Sequence, residues 1–156
     1  MSKRIVLIAL SIILCASLLT ACGETPAPVK YDSLSDLSNA VGFNVVNPID
    51  VPDGYALAGY YAVGENLAQI AYVNGDNELI FAMTTLEKVE CDLGTFDETK
   101  TAEVNGVGLE LNFLGGSVHL AVARTGGYSY AIYSKNGLSE EEMIQLAGGM
   151  GLEAQK

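Results

Sequence analysis

Five short breaks carrying glycine, Gly64-Glu65-Asn66, Gly75-Asp76-Asn77, Asn105-Gly106, Gly115-Gly116 and Gly126-Gly127, partition the region between Tyr55 and Ser134. The runs between them are rich in β-branched, aromatic and small apolar residues. Breaks of two or three residues leave no room for a crossover, so successive strands fold back on one another as antiparallel hairpins. Asn105-Gly106 is the clearest of them, because both residues accept the positive φ of a type I′ turn. After it Val107, Leu109, Leu111 and Phe113 alternate with Gly108, Glu110 and Asn112, the pattern of a strand with one dry and one wet face. The predicted strands are Tyr55 to Val63, Leu67 to Asn74, Glu78 to Leu86, Thr101 to Val104, Val107 to Phe113, Val118 to Arg124 and Tyr128 to Ser134. A brief strand from Phe43 to Val46 is also predicted, ending at Asn47-Pro48, and a polar stretch from Glu87 to Lys100 interrupts the series.

Helix signals flank this block. Ser33 reads as an N-cap with Asp36 three residues on, Leu34, Leu37 and Val41 share a face, and Gly42 ends the turn. Near the C-terminus Ser139 and Glu142 form a capping box, Leu138 and Met143 a hydrophobic staple, and Gly148-Gly149 a stop. The expected fold class is α+β: a single antiparallel, largely meandering β-sheet with a short N-terminal helix and a C-terminal helix packed on one face.

Before all this lies a different kind of segment. Lys3 and Arg4 precede an apolar run from Ile5 to Leu14, and the run leads to Leu19-Thr20-Ala21-Cys22. A basic start, apolar centre and small-residue end make a secretory signal, too short for a stable membrane span. The last four residues resemble the lipobox of bacterial lipoproteins. The resemblance implies diacylglycerol on the Cys22 thiol and cleavage between Ala21 and Cys22. Residues 1–21 are then a removed signal peptide, 22–32 a lipidated Pro-containing tether, and 33–156 one globular domain. From Cys22 to Ser33 a stretched chain reaches about 35 to 40 Å, so the domain stays near the bilayer. Of the three cysteines, Cys15 leaves with the signal and Cys22 is alkylated, so Cys91 is the one body thiol, expected to be buried and inert.

The chain carries a formal net charge of −11. Cleavage removes Lys3 and Arg4 and makes it more acidic still. Such a chain is a poor match for nucleic acid, and it has no basic cluster to dock on anionic lipid. The membrane partner is reached through the covalent lipid alone.

Pro52-Asp53-Gly54-Tyr55 leading into a strand, the Val104-Asn105-Gly106 hairpin, and Gly127-Tyr128-Ser129-Tyr130 followed by Leu138-Ser139-Glu140-Glu141-Glu142-Met143 occur here in that order. Over residues 43 to 147 the chain resembles exported proteins of the domain of unknown function 4367 family. That resemblance implies a membrane-tethered exported module with no assigned reaction.

Reactive constellations are sparse. His119 is the single histidine and is predicted to point away from Val118, Leu120 and Val122, towards solvent. Neither Gly116-Ser117 nor Tyr128-Ser129-Tyr130 fits a nucleophile elbow. Asp50 with Asp53, Asp76 with Glu78, and Glu140 to Glu142 have turn or cap roles. Asn74-Gly75-Asp76-Asn77-Glu78 collects oxygen groups but lacks the order of a calcium loop. No catalytic set, metal ligand set or cofactor is expected. Tyrosine is the residue type suited to recognition, and Tyr128, Tyr130 and Tyr133 on the last strand are the candidate surface, with Tyr133 facing opposite to the other two. The expected function is a non-catalytic binding module on the outer membrane surface, contacting an envelope protein or wall component. The alternatives are a carrier or sensor of an apolar ligand between sheet and helices, and a hydrolase.

Overall fold

The computed structural model describes residues 26–87 and 94–154. Cys22 with the lipobox, and Cys91, lie outside the described residues. Among those described, eight strands form one antiparallel sheet: β1 (Val29–Tyr31), β2 (Ala56–Val63), β3 (Leu67–Asn74), β4 (Asn77–Thr84), β5 (Glu98–Val104), β6 (Val107–Leu114), β7 (Ser117–Thr125) and β8 (Tyr128–Leu138). Helix α1 (Leu34–Val41) follows β1, and α2 (Glu140–Gly148) follows β8.

Strand order is β1-β2-β3-β4-β8-β7-β6-β5. Two meanders, β1 to β4 and β5 to β8, therefore meet along a β4–β8 seam, where Phe81 pairs with Ile132 and Met83 with Tyr130. The turn chemistry operates as the residues dictate: Asn105 and Gly106 take φ of 52° and 80°, the two positive values of a type I′ turn. The sheet is the one the glycine breaks predict, and its order comes from the seam.

Two predicted features are corrected. Val29–Tyr31, assigned to the tether, is an edge strand paired with Tyr60 to Ala62. The predicted strand at Phe43 to Val46 is absent, and the segment crosses the core as an extended loop. Its Val45 N–H donates to Ser38 Oγ at 3.0 Å, and further on the Ile49 N–H donates to the Gly149 carbonyl at 3.1 Å. These backbone groups are satisfied by the helices' ends, so no sheet ladder is needed. Phe43 and Val45 are buried, with the Phe43 ring 5.5 Å from that of Tyr128.

Both caps form. Ser33 Oγ accepts the Asp36 N–H at 3.1 Å. Ser139 Oγ accepts the Glu142 N–H at 3.3 Å while the Glu142 carboxylate accepts the Ser139 N–H at 2.9 Å, completing the reciprocal box. Leu37 and Val41 of α1 and Met143, Leu146 and Ala147 of α2 share one buried cluster with Ile70, Phe81, Leu111, Val118 and Ile132. Within it Leu37, Met143 and Ala147 are 0% exposed, so side chains fill the space beneath both helices.

Candidate functional site

Alternate residues of a strand point to opposite faces. Ile70, Phe81 and Ile132 lie in register across β3, β4 and β8 and belong to the cluster holding the helix residues. The other face carries Tyr61, Gln69, Ala82, Ala131 and Val122 in one row, and Ala71, Ile80, Tyr133 and Leu120 in the next. Its side chains gather in two smaller clusters that draw on no helix residue.

A solvated sheet face should be polar and wet. This one is neither. Ala71, Ile80, Ala82 and Ala131 are no more than 2% exposed, and β4 is buried without interruption from Glu78 to Thr84. Phe96, in the connection between β4 and β5, packs on the cluster of Val63, Leu67, Ala82, Leu120 and Ala131. The connection starts at the opposite corner, where the Leu86 and Glu87 carbonyls accept from Ser129 Oγ at 2.8 and 3.1 Å, and Arg124 also donates to Glu87 at 2.7 Å. It ends where the Asp97 N–H donates to the Phe113 carbonyl at 2.9 Å.

Polar groups are set into this floor. Of the six buried polar residues, Gln69, Glu78, Thr84, Asn112 and Ser129 lie on this face, and Ser134 alone lies on the other. Ser129 is satisfied by the two carbonyls above. Asn112 accepts from Thr99 Oγ1 at 2.9 Å and donates to Glu110 at 3.1 Å. Gln69 differs: it is 1% exposed, and neither its amide nitrogen nor its oxygen has a hydrogen-bond partner among the described residues. An amide left dry in this way costs about 1 to 3 kcal/mol.

Aromatic residues border the same region. Tyr61 and Tyr133 pack against Ala71 and Ile80. Burial raises the Tyr61 phenol above its ordinary value, and the nearby Glu78 charge adds to the rise. Lys30 of β1 lies 5.8 Å from the Tyr61 ring centre and donates to the Ala58 carbonyl at 3.0 Å. Both side chains cross β2 above Gly59, where an added Cβ would stand 2.8 Å from Lys30 Cε and 3.0 Å from Tyr61 Oη.

The structure divides the tyrosines singled out in the sequence. Tyr130 is 8% exposed and Tyr128 half-buried, both within the helix-side cluster. Tyr133 lies on the other face with Tyr61. Burial is the main cause of a raised Tyr130 phenol, with Tyr128 contributing. Gln69 and Tyr61 are the site residues that sequence reasoning missed; the signal for Gln69 was a lone amide inside the apolar run Leu67-Ala68-Gln69-Ile70-Ala71.

His119 departs from its expected direction because a bulge interrupts β7 between Val118 and Leu120. Val118 joins the helix-side cluster and Leu120 the opposite one, so His119 is half-buried at the irregularity instead of standing on a wet face. A Cβ at Gly137 would lie 2.6 Å from Ser117 Cβ and 2.8 Å from His119 Nε2, so the missing side chain of Gly137 makes room for both. At Asn74 to Glu78 the oxygens serve the turn: Asn77 Oδ1 accepts from the Glu78 N–H at 3.0 Å and the Asn136 N–H at 3.1 Å, and its amide donates to Tyr55 Oη.

Two shallow grooves complete the surface. One of about 490 Å³ is lined by Lys30, Asp32, Asp36 and Asn39, the other of about 430 Å³ by Gly106, Gly108, Arg124 and Gly127. Their charged side chains are exposed. Among the described residues no group of three His, Cys, Asp or Glu side chains could hold a metal ion, and no helix is long and apolar enough to cross a membrane. No family model, curated protein or solved structure matches the chain.

Proposed function

We propose that this chain is an extracytoplasmic lipoprotein held to the membrane through Cys22. In this reading it acts as a non-catalytic binding module, with recognition on the sheet face that carries Gln69. Both helices then sit on the Ile70 face, where they complete the core, and the Gln69 face is left for a partner. The observation that carries the reading is the buried, unpartnered amide of Gln69 in a floor of small apolar side chains. A protein retains a costly polar group of this kind where a ligand satisfies it.

The anchor reading is supported by the match of Leu19-Thr20-Ala21-Cys22 to a lipobox and by where the chain enters the fold. The Pro26 ring approaches to 3.5 Å of a Cβ built on Gly64, so the segment from Cys22 leads away from the β2–β3 turn. With β1 beginning at Val29, the free tether spans about 25 Å at full stretch. The resemblance to the domain of unknown function 4367 family belongs to the same proposal. An apolar ligand beneath the helices finds less support, since Leu37, Met143 and Ala147 already occupy that space.

Two measurements test the reading. Cys22→Ser should move the protein from the membrane fraction to the soluble extracytoplasmic fraction, and retention as firm as in the wild type would overturn the anchor. Ala131→Asp and Gln69→Ala should abolish site-specific cross-linking to the envelope component captured by wild type through position 133. Unchanged cross-linking would remove recognition from this face.

A further inference from the structure

The Gln69 face has the dimensions and chemistry to receive an apolar helix, and the chain supplies one of the right length at the right corner. We propose that, before processing, residues 1–21 of this chain lie along the Gln69 face, so that cleavage ahead of Cys22 uncovers the binding surface. This deepens the function proposed above and rests on its lipoprotein reading.

Three observations select this occupant. The first is position. Pro26 sits at Gly64, and Gly64 follows Val63, whose side chain is already part of the face. Ala21 is five residues upstream, so the apolar segment starts at the edge of the surface it would cover. The second is length. The fifteen residues from Ile5 to Leu19 would extend about 22 Å as a helix. The floor along β4, from Thr84 at the Gly64 end to Glu78 at the far end, is about 20 Å long.

The third is charge. A segment running from Ala21 at the Gly64 corner towards the opposite end brings Lys3 and Arg4 to the end of the floor that holds Glu78. Glu78 is 2% exposed, and a buried carboxylate favours a cation alongside it. Between the two ends the floor is made of Ala71, Ala82 and Ala131, small enough for a helix backbone to approach closely. Gln69 stands midway, and Ser11 and Ser17 are the hydroxyl residues of the segment that can satisfy its amide.

These relations account for a face that is dry although its clusters contain no helix residue. They also give processing a second consequence. Cleavage releases the protein onto its lipid and, in the same step, opens a surface that was closed during export.

Hydroxyl-radical footprinting of the full 156-residue chain carrying Cys22→Ala in detergent micelles tests this, because that chain can be neither lipidated nor cut. Tyr61, Tyr133 and Ile80 should be protected to the same degree as Tyr130, which lies on the other face and serves as the internal standard for folding. Ile8→Asp with Ile12→Asp, changes confined to the segment, should raise oxidation of Tyr61, Tyr133 and Ile80 several-fold and leave Tyr130 unchanged. Strong oxidation of Tyr61 and Tyr133 in the unsubstituted segment would overturn the proposal, as would equal protection in both chains. Since neither chain is processed, these outcomes are independent of the fractionation of Cys22→Ser, and failure of one reading is not failure of the other.

Discussion

Gln69 stands directly across the β3–β4 ladder from Ala82, and both are buried, yet only the alanine belongs there on grounds of solvation. The amide of Gln69 has no partner among the described residues. Replacing it by the similarly sized Leu should therefore raise the stability of the unliganded protein by about 1 to 3 kcal/mol. Equilibrium urea unfolding reads the gain as a higher midpoint at unchanged slope. The same variant should lose partner cross-linking, a trade of function for stability; a Gln69→Leu protein less stable than wild type would mean that the amide is already satisfied.

Asn77 holds the β3–β4 turn to the end of β8. Its side chain reaches Tyr55 Oη, the Asn136 N–H and its own neighbour's N–H at once. Asn77→Ala should destabilise the fold by about 1 to 3 kcal/mol. Tyr55→Phe removes one of those bonds and should cost the lesser part of this, measured by the same unfolding experiment.

Gly149 is required for space and not for dihedral freedom, since its φ of −70° is ordinary. A Cβ there would stand 2.3 Å from the Ile49 carbonyl oxygen, which no side-chain rotation can relieve. Gly149→Ala should cost about 1 to 3 kcal/mol, as overpacking does. Hydrogen exchange should show the loosening at Ile49 and at the end of α2, with the sheet unaffected.

The cap of α2 titrates. Hydrogen bonds from the Ser139 side chain and backbone hold the Glu142 carboxyl below its ordinary value. A depressed carboxyl contributes stability that is complete above its unfolded pKa and disappears as pH falls through the lower folded value. Exchange protection of the first turn of α2 should decline on acidification over that window, and Glu142→Gln should flatten the decline. Ser139→Ala should lower stability by about 1 kcal/mol at neutral pH.

Four phenols, Tyr55, Tyr61, Tyr72 and Tyr130, sit above the ordinary value of 10.0, with burial the leading cause in each. A raised phenol pKa stabilises the neutral form, so this contribution is intact below pH 10 and is lost as pH climbs through the folded values. Spectrophotometric titration of phenolate absorbance should show a fraction of the eight tyrosines ionising late. Glu78→Gln should bring Tyr61 closer to its ordinary value, because the Glu78 charge adds to its rise.

The strands were legible because turn chemistry is local. Gly64, Gly75, Asn105-Gly106, Gly115-Gly116 and Gly126-Gly127 each force a reversal within two or three residues, and Leu67–Asn74 has the predicted bounds. The caps at Ser33 and Ser139 were legible for the same reason. The pairing of Phe81 with Ile132 was not, since nothing local in either strand names a partner fifty-one residues away. Phe43 to Val46 has the alternation of a strand, but its N–H groups and those beyond it are taken by Ser38 and Gly149, elements brought close only by the fold. Val29–Tyr31 sits beside prolines and reads as tether, and its pairing with Tyr60 to Ala62 arises from a distant edge. His119 was misdirected by one bulge, which reverses every later side chain of β7. The candidate surface was half visible. Tyr133 could be separated from Tyr128 and Tyr130 by parity, whereas the dryness of the Gln69 face depends on what covers it.

The β4–β8 seam also sets the order in which this chain can acquire its structure. Every other adjacent pair in the sheet except β1–β2 is joined by a reversal of a few residues, so β2 to β4 and β5 to β8 can each form on the timescale of hairpins. The seam must instead close the loop from Thr84 to Ser129, and it gains nothing until both meanders present complementary edges. The transition state is accordingly placed at the joining of two preformed halves. Truncating Phe81 or Ile132 should slow refolding in proportion to the stability lost, whereas truncating Leu109 in the β6 ladder should mainly speed unfolding.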